Sequence, residues 1–145
     1  STGLLTHRVE TSDMDHLSLG LAQVQRFADE HRLSERSHRA LELAFEELLV
    51  NAREHGGCTR VELQLGLGPQ GPWLEFRDDG AEFNSSLWQP PPLESMAEAG
   101  PGGVGLGLLQ RMFGRIEFVR EIGWNRVRIT DLRPSTAARD VDFPP

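Results

Sequence analysis

The chain has 145 residues, a formal net charge of −7 and one cysteine, Cys58. That length suits one domain with a real core, the acidic balance argues against a general nucleic-acid binder, and a lone cysteine excludes an internal disulfide or a cysteine-cluster metal site. All 15 basic residues are arginine, which rules out a Walker-type phosphate lysine, a Schiff base and the lysine of protein kinases. No apolar run approaches a membrane span, and "STGLLTHRVE" lacks a charged leader before a long apolar segment. A cytoplasmic protein engaging neither membrane nor nucleic acid is expected.

In chain order, "LLTHRVE" reads as a short strand and "TSDMD" as a source of caps. "MDHLSLGLAQVQRFADEHRL" has helical spacing through Leu17, Leu21, Val24 and Phe27, despite Gly20 within it. "LSERSHRALELAFEELLVNAREHGG" is the strongest helix. Ser34 or Ser37 can cap it, Leu41, Phe45, Leu48 and Ala52 make one apolar stripe, and Gly56 or Gly57 stops it. "TRVELQLGL" and "PWLEFRDDG" alternate as half-buried strands around the turn signal "GPQGP". Residues 84–103 form a long stretch rich in proline, glycine and serine, of the kind that is functional or disordered within a compact domain. "VGLGLLQRMFG" is a short helix opening out of glycines, and "RIEFVREIG" with "WNRVRITDL" closes the chain as a hairpin. The order β-α-α-β-β-loop-α-β-β predicts an α/β fold, a two-layer α/β sandwich whose mixed, mainly antiparallel sheet carries helices on one face. One domain over residues 1–132 and a loose tail over 133–145 are expected.

Three short segments carry chemistry. On a helical wheel Glu47 and Asn51 lie one turn apart, beside the apolar stripe, so both can point into a cleft between helix and sheet. A carboxylate beside an amide oxygen can hold a hydrated Mg2+ and orient a hydroxyl, although a solvated Glu and a tolerated Asn would read the same way. In "FRDDGAEF", Asp78 at a strand end can accept from an amine, and Gly80 lets a flat ligand approach the backbone; a plain turn is the alternative. In "GPGGVGLGLLQRMFG", clustered glycines at a helix start leave backbone N–H groups free for phosphate. The dinucleotide fingerprint does not fit, because no β-α-β unit surrounds them.

Glu47-x-x-x-Asn51, Asp78-x-Gly80 and Gly102-Gly103-x-Gly105-x-Gly107 together resemble the N, G1 and G2 boxes of the histidine-kinase-like ATPases, which share the Bergerat ATP-binding fold. The resemblance runs over about residues 4–132. "VNAREHGG", "DDGAEF", "WQPPP" and "GGVGLGLLQRMFGRIEF" are most similar to the branch of anti-sigma-factor serine kinases. The resemblance implies ATP and Mg2+ as cofactors. Glu47 would be the catalytic base toward a substrate serine, Asn51 the Mg2+ ligand, and Asp78 the acceptor for the adenine amine, with Gly80 making room for the ring. Phe83 and the run Gly102, Gly103, Val104, Gly105, Leu106 and Gly107 would complete the ATP site, under a lid over 84–101. His55 would line the pocket, or else serve only as a helix-end histidine facing the carbonyl dipole. Arg128 falls near the place where relatives put a small hydroxyl residue against adenine.

The implied partners are an anti-sigma-factor antagonist as protein substrate, a sigma factor or other regulator, and a second copy of the chain. The homodimer would use Leu43, Val50 or the edge of the first strand, unless Leu43 and Val50 are buried under the first helix. Glu54, Glu82 and a lid without arginine depart from common patterns and bear on the transfer rate more than on binding. The rival expectations are a non-catalytic ATP-binding interaction module and the catalytic domain of a sensor histidine kinase.

Overall fold

The structure, a computed structural model, describes residues 5–10, 16–82 and 105–134. Its elements are β1 (Leu5–Glu10), α1 (His16–Glu30), α2 (Glu35–Gly56), β2 (Arg60–Gly68), β3 (Gly71–Asp78), α3 (Gly105–Met112), β4 (Phe113–Glu121) and β5 (Trp124–Leu132). The strands form one five-stranded sheet in the order β1-β2-β3-β5-β4, and all four ladders are antiparallel.

The longest helix is set by its ends and its stripe. Ser34 caps α2, its Oγ accepting from the Ser37 N–H at 3.0 Å. Gly57 closes it in the left-handed region (φ 62°), where glycine is the usual helix stop, and the Cys58 N–H returns to the Ala52 carbonyl at 3.1 Å. Leu41, Phe45, Leu48 and Ala52 are all buried, as the stripe requires, with Ala40, Ala44 and Leu49 widening it.

The expected stripe of α1 is rolled. Val24 and Phe27 are buried, but Leu17 is exposed and Leu21 only half-buried, while His16, Gly20 and Gln23 turn inward. The cause is the crossing with α2: a Cβ on Gly20 would stand 1.9 Å from Cζ of Phe45. The bare glycine is therefore the contact point, and it sets which residues of α1 face the core. Leu43 also packs against this core.

Period-two alternation decides the faces of the sheet. Val61, Leu63 and Leu65 of β2, Leu74 and Phe76 of β3, and Val127 and Ile129 of β5 lie under the helices. Trp73, Glu75, Arg77, Arg126 and Arg128 take the opposite phase. On that far face Arg128 stacks 4.0 Å over Trp73 and reaches Glu75 at 3.4 Å. Arg77 lies 4.8 Å over Trp124 and pairs with Glu62.

The third helix is shorter than expected. It ends at Met112, and Phe113 with Gly114 already belongs to β4. Arg133, where the tail was expected to begin, donates its N–H to the Met112 carbonyl at 2.7 Å, and its own carbonyl accepts from Arg36. The rest of the expected tail from residue 135 lies outside the described residues, as does the expected lid. No helix among the described residues is long and apolar enough to cross a membrane.

Candidate functional site

A pocket opens where the C-terminal end of α2 meets the ends of β3 and β5. Asn51, Ala52, His55, Gly56, Asp78, Ala81, Glu82 and Asn125 line it. Helical periodicity brings Asn51 and His55 to one side of it from successive turns of α2. Strand alternation brings Asp78 in from the sheet, in phase with buried Leu74 and Phe76.

Asn51 is 1% exposed. Its Nδ2 donates to the Glu47 carbonyl at 2.7 Å, one turn back, whereas its Oδ1 is buried and accepts no hydrogen bond from a described residue. A buried acceptor left without a donor costs about 1–3 kcal/mol. An oxygen in that state beside a pocket suits a hard cation, which takes carbonyl and carboxylate oxygens. Glu47 is 7% exposed and stands on the same flank, one turn before Asn51 and outside the pocket wall.

Asp78 is 4% exposed. Its Oδ1 accepts from the Gly80 N–H at 2.8 Å and from Nδ2 of Asn125 at 3.0 Å. Burial pushes its carboxyl above the ordinary range and Asp79 adds to the rise, against the pull of Asn125, the Gly80 N–H and Arg120. The turn after it is fixed twice. Asp79 accepts from the Thr59 N–H at 2.7 Å, the Thr59 hydroxyl at 2.7 Å and the Arg60 N–H at 2.9 Å. Burial works to raise that carboxyl, but these bonds hold it below its usual value. The Ala81 N–H then donates to the Gly56 carbonyl at 2.9 Å, joining the turn to the end of α2.

Gly80 is needed at this junction for a reason the sequence did not reveal. A Cβ there would lie 2.7 Å from the Gly56 carbonyl oxygen, so the approach of the helix end already demands glycine.

A profile of the histidine kinase-like ATPase domain matches residues 11–130. The chain belongs to that family. The Bordetella bronchiseptica serine/threonine-protein kinase BtrW is 31% identical over 104 residues, spanning 68% of this chain and 73% of that protein. The crystal structure of the RsbU and RsbW domains of a Mycobacterium tuberculosis protein aligns with a TM-score of 0.59 at 14% identity, covering 90% of this chain. That likeness is one of fold, and this chain spans about a third of the longer one (34%).

Within this ATPase domain, the structure brings Asn51, His55 and Asp78 into one pocket, with Glu47 behind Asn51 and Gly80 in the adjoining turn. Gly105 and Gly107 lie in the first turn of α3, which packs against α2. Leu106 sends its side chain into the core, so only its backbone remains for a ligand. Phe83, Gly102, Gly103 and Val104 lie outside the described residues.

Arg128 does not reach the pocket, because it sits in the wrong phase of β5 and stacks on the far face. The residue of β5 opposite Asp78 is Asn125, 2% exposed. The missed signal was a polar residue, Asn125, at the head of the phase of "WNRVRITDL" that continues with Val127 and Ile129.

Proposed function

We propose that this ATPase domain is a protein-serine kinase and anti-sigma factor that uses Mg-ATP to phosphorylate a small anti-sigma-factor antagonist. The observation that carries the reading is the buried pair on α2: Glu47 and Asn51 one turn apart, with Oδ1 of Asn51 free of any described donor beside a pocket that Asp78 enters. The likeness to a serine/threonine-protein kinase supports the transfer step over binding alone.

Phosphoryl transfer needs positioning and charge neutralisation more than covalent help from the protein. Asp78 accepts from the exocyclic amine of adenine, and the glycine-rich entry to α3 offers backbone N–H groups to the phosphates. Asn51 Oδ1 is the ligand for Mg2+, which neutralises phosphate charge when bound. Glu47 takes the proton of the substrate serine hydroxyl as that oxygen bonds to the γ-phosphorus and ADP leaves, giving phosphoserine. The added charge of about −1.5 to −2 alters the antagonist's interface, and an acidic chain of net charge −7 favours release of such a product. A sigma factor is the proposed second partner, exchanged as the antagonist is phosphorylated.

The test is Glu47→Gln, with the protein incubated with Mg-ATP and candidate antagonists from its genomic neighbourhood. A general base contributes about 10²–10⁴ in rate, so the variant should lose most phosphoserine formation while keeping ATP affinity and partner binding. Normal phosphorylation by the variant places the base elsewhere. A wild type that binds an antagonist in an ATP-dependent way but never phosphorylates it makes the domain a binding switch instead.

A further inference from the structure

Three polar side chains form one cross-strand row at the end of the sheet. Asp78 of β3 is the register partner of Asn125 of β5, which is the register partner of Arg120 of β4. The alternation that puts Phe76, Val127 and Phe118 under the helices puts this row on the same face, at the mouth of the pocket.

The amide of Asn125 is held at both ends. Its Nδ2 donates to Asp78 Oδ1 at 3.0 Å and to the Ala81 carbonyl at 2.8 Å, while its Oδ1 accepts from Nη1 of Arg120 at 3.1 Å. Arg120 is fixed in turn by the Gly80 carbonyl at 2.9 Å. Turning the amide over would set its NH2 against a guanidinium and its oxygen against a carboxylate and a carbonyl, so only one orientation is allowed. Asp78 Oδ1 is then filled by Asn125 and the Gly80 N–H, and Oδ2 has no hydrogen-bond partner among the described residues.

We propose that Asn125, oriented by Arg120, is a positioning residue of this site: it saturates one oxygen of Asp78, so that the other alone meets the amine of the bound base. The proposal rests on the ATP reading and adds to it the device that aims the acceptor. An ionised carboxylate only accepts, and a proton on Oδ2 would turn it into a donor facing a donor. The clamp therefore also opposes protonation of a carboxyl that burial pushes upward. The other titratable or charged groups around Asp78 are Asp79 in its own turn, Arg120 from β4, Cys58 after α2, and His55 and Glu82 on the pocket wall.

Mg-ATP titration of the whole chain at about pH 6 and about pH 8.5 tests this, each variant being compared with wild type at the same pH so that titration of the nucleotide cancels. Wild type must bind, and Asp78→Asn must weaken binding; failure of either removes the ATP reading and the proposal with it. With both satisfied, Asn125→Leu should weaken binding about 10- to 100-fold at both pH values, the loss of a hydrogen bond to a charged group. Asn125→Asp should behave differently. Two facing carboxylates share one proton at the lower pH, which restores a donor to Asp78, and repel at the higher pH. Its loss should shrink about tenfold between the two. Arg120→Met, at an exposed residue, should cost less, about 3- to 10-fold. A pH-independent loss in Asn125→Asp would reduce Asn125 to a structural residue and overturn the proposal. Should the Asn125 variants not fold, Arg120→Met decides, and wild-type affinity for it at both pH values refutes the clamp.

Discussion

Asp78→Asn changes a charge while keeping the shape, and it separates what this residue does for binding from what it costs in folding. The two donors on Oδ1, the Gly80 N–H at 2.8 Å and Asn125 Nδ2 at 3.0 Å, force the new amide to keep its oxygen there. Its nitrogen then faces the pocket where Oδ2 stood, a donor opposite the adenine amine. Losing a hydrogen bond to a charged acceptor costs about 1.5–3 kcal/mol, or about 10- to 150-fold in affinity.

Stability moves the other way. The folded carboxyl titrates above its ordinary value, so between that value and the folded one the folded chain binds more protons than the unfolded chain. Stability therefore falls as pH rises through this window and stays lowered above it. The neutral amide escapes that loss. Isothermal titration with Mg-ATP should show the weakened binding, while thermal unfolding without nucleotide at neutral pH should give a melting temperature equal to or above wild type. The stability difference should close as pH is lowered through the window. Affinity within twofold of wild type refutes Asp78 as the base acceptor, and a sharp fall in melting temperature refutes the account of its burial.

Asn51→Ala should abolish the Mg2+-dependent part of ATP affinity, seen by titration with and without a chelator. Its melting temperature without nucleotide should hold or rise, since Ala is the better helix former and the orphaned Oδ1 is gone. Gly20→Ala should destabilise by about 1–3 kcal/mol, because its Cβ would stand 1.9 Å from the Phe45 ring; denaturant unfolding measures this, and an unchanged midpoint contradicts the close crossing of α1 and α2.

Local signals in the sequence determined most of the elements of this protein. Ser34, the Leu41/Phe45/Leu48/Ala52 stripe and Gly57 act within a few residues of one another, so α2 and its ends could be read directly. Alternation in "TRVELQLGL", "PWLEFRDDG" and "WNRVRITDL" likewise gave strands matching β2, β3 and β5 to within one or two residues at each end. Asn51, His55 and Asp78 were legible because a helix period and a strand end carry their positions, and the box pattern linked them. Tertiary structure decided what depends on register and crossing. Gly20 looked like a blemish in a helix until Phe45 filled its place, which rolled Leu17 outward and His16 inward. Gly80 looked like room for a ligand, yet the Gly56 carbonyl already occupies the space a Cβ would need. Asn125 and Arg120 meet Asp78 only through the pairing of β3 with β5 and β5 with β4. A shift of one residue in either ladder would turn those side chains to the far face, where Arg128 lies. That register belongs to the assembled sheet, and no single strand specifies it.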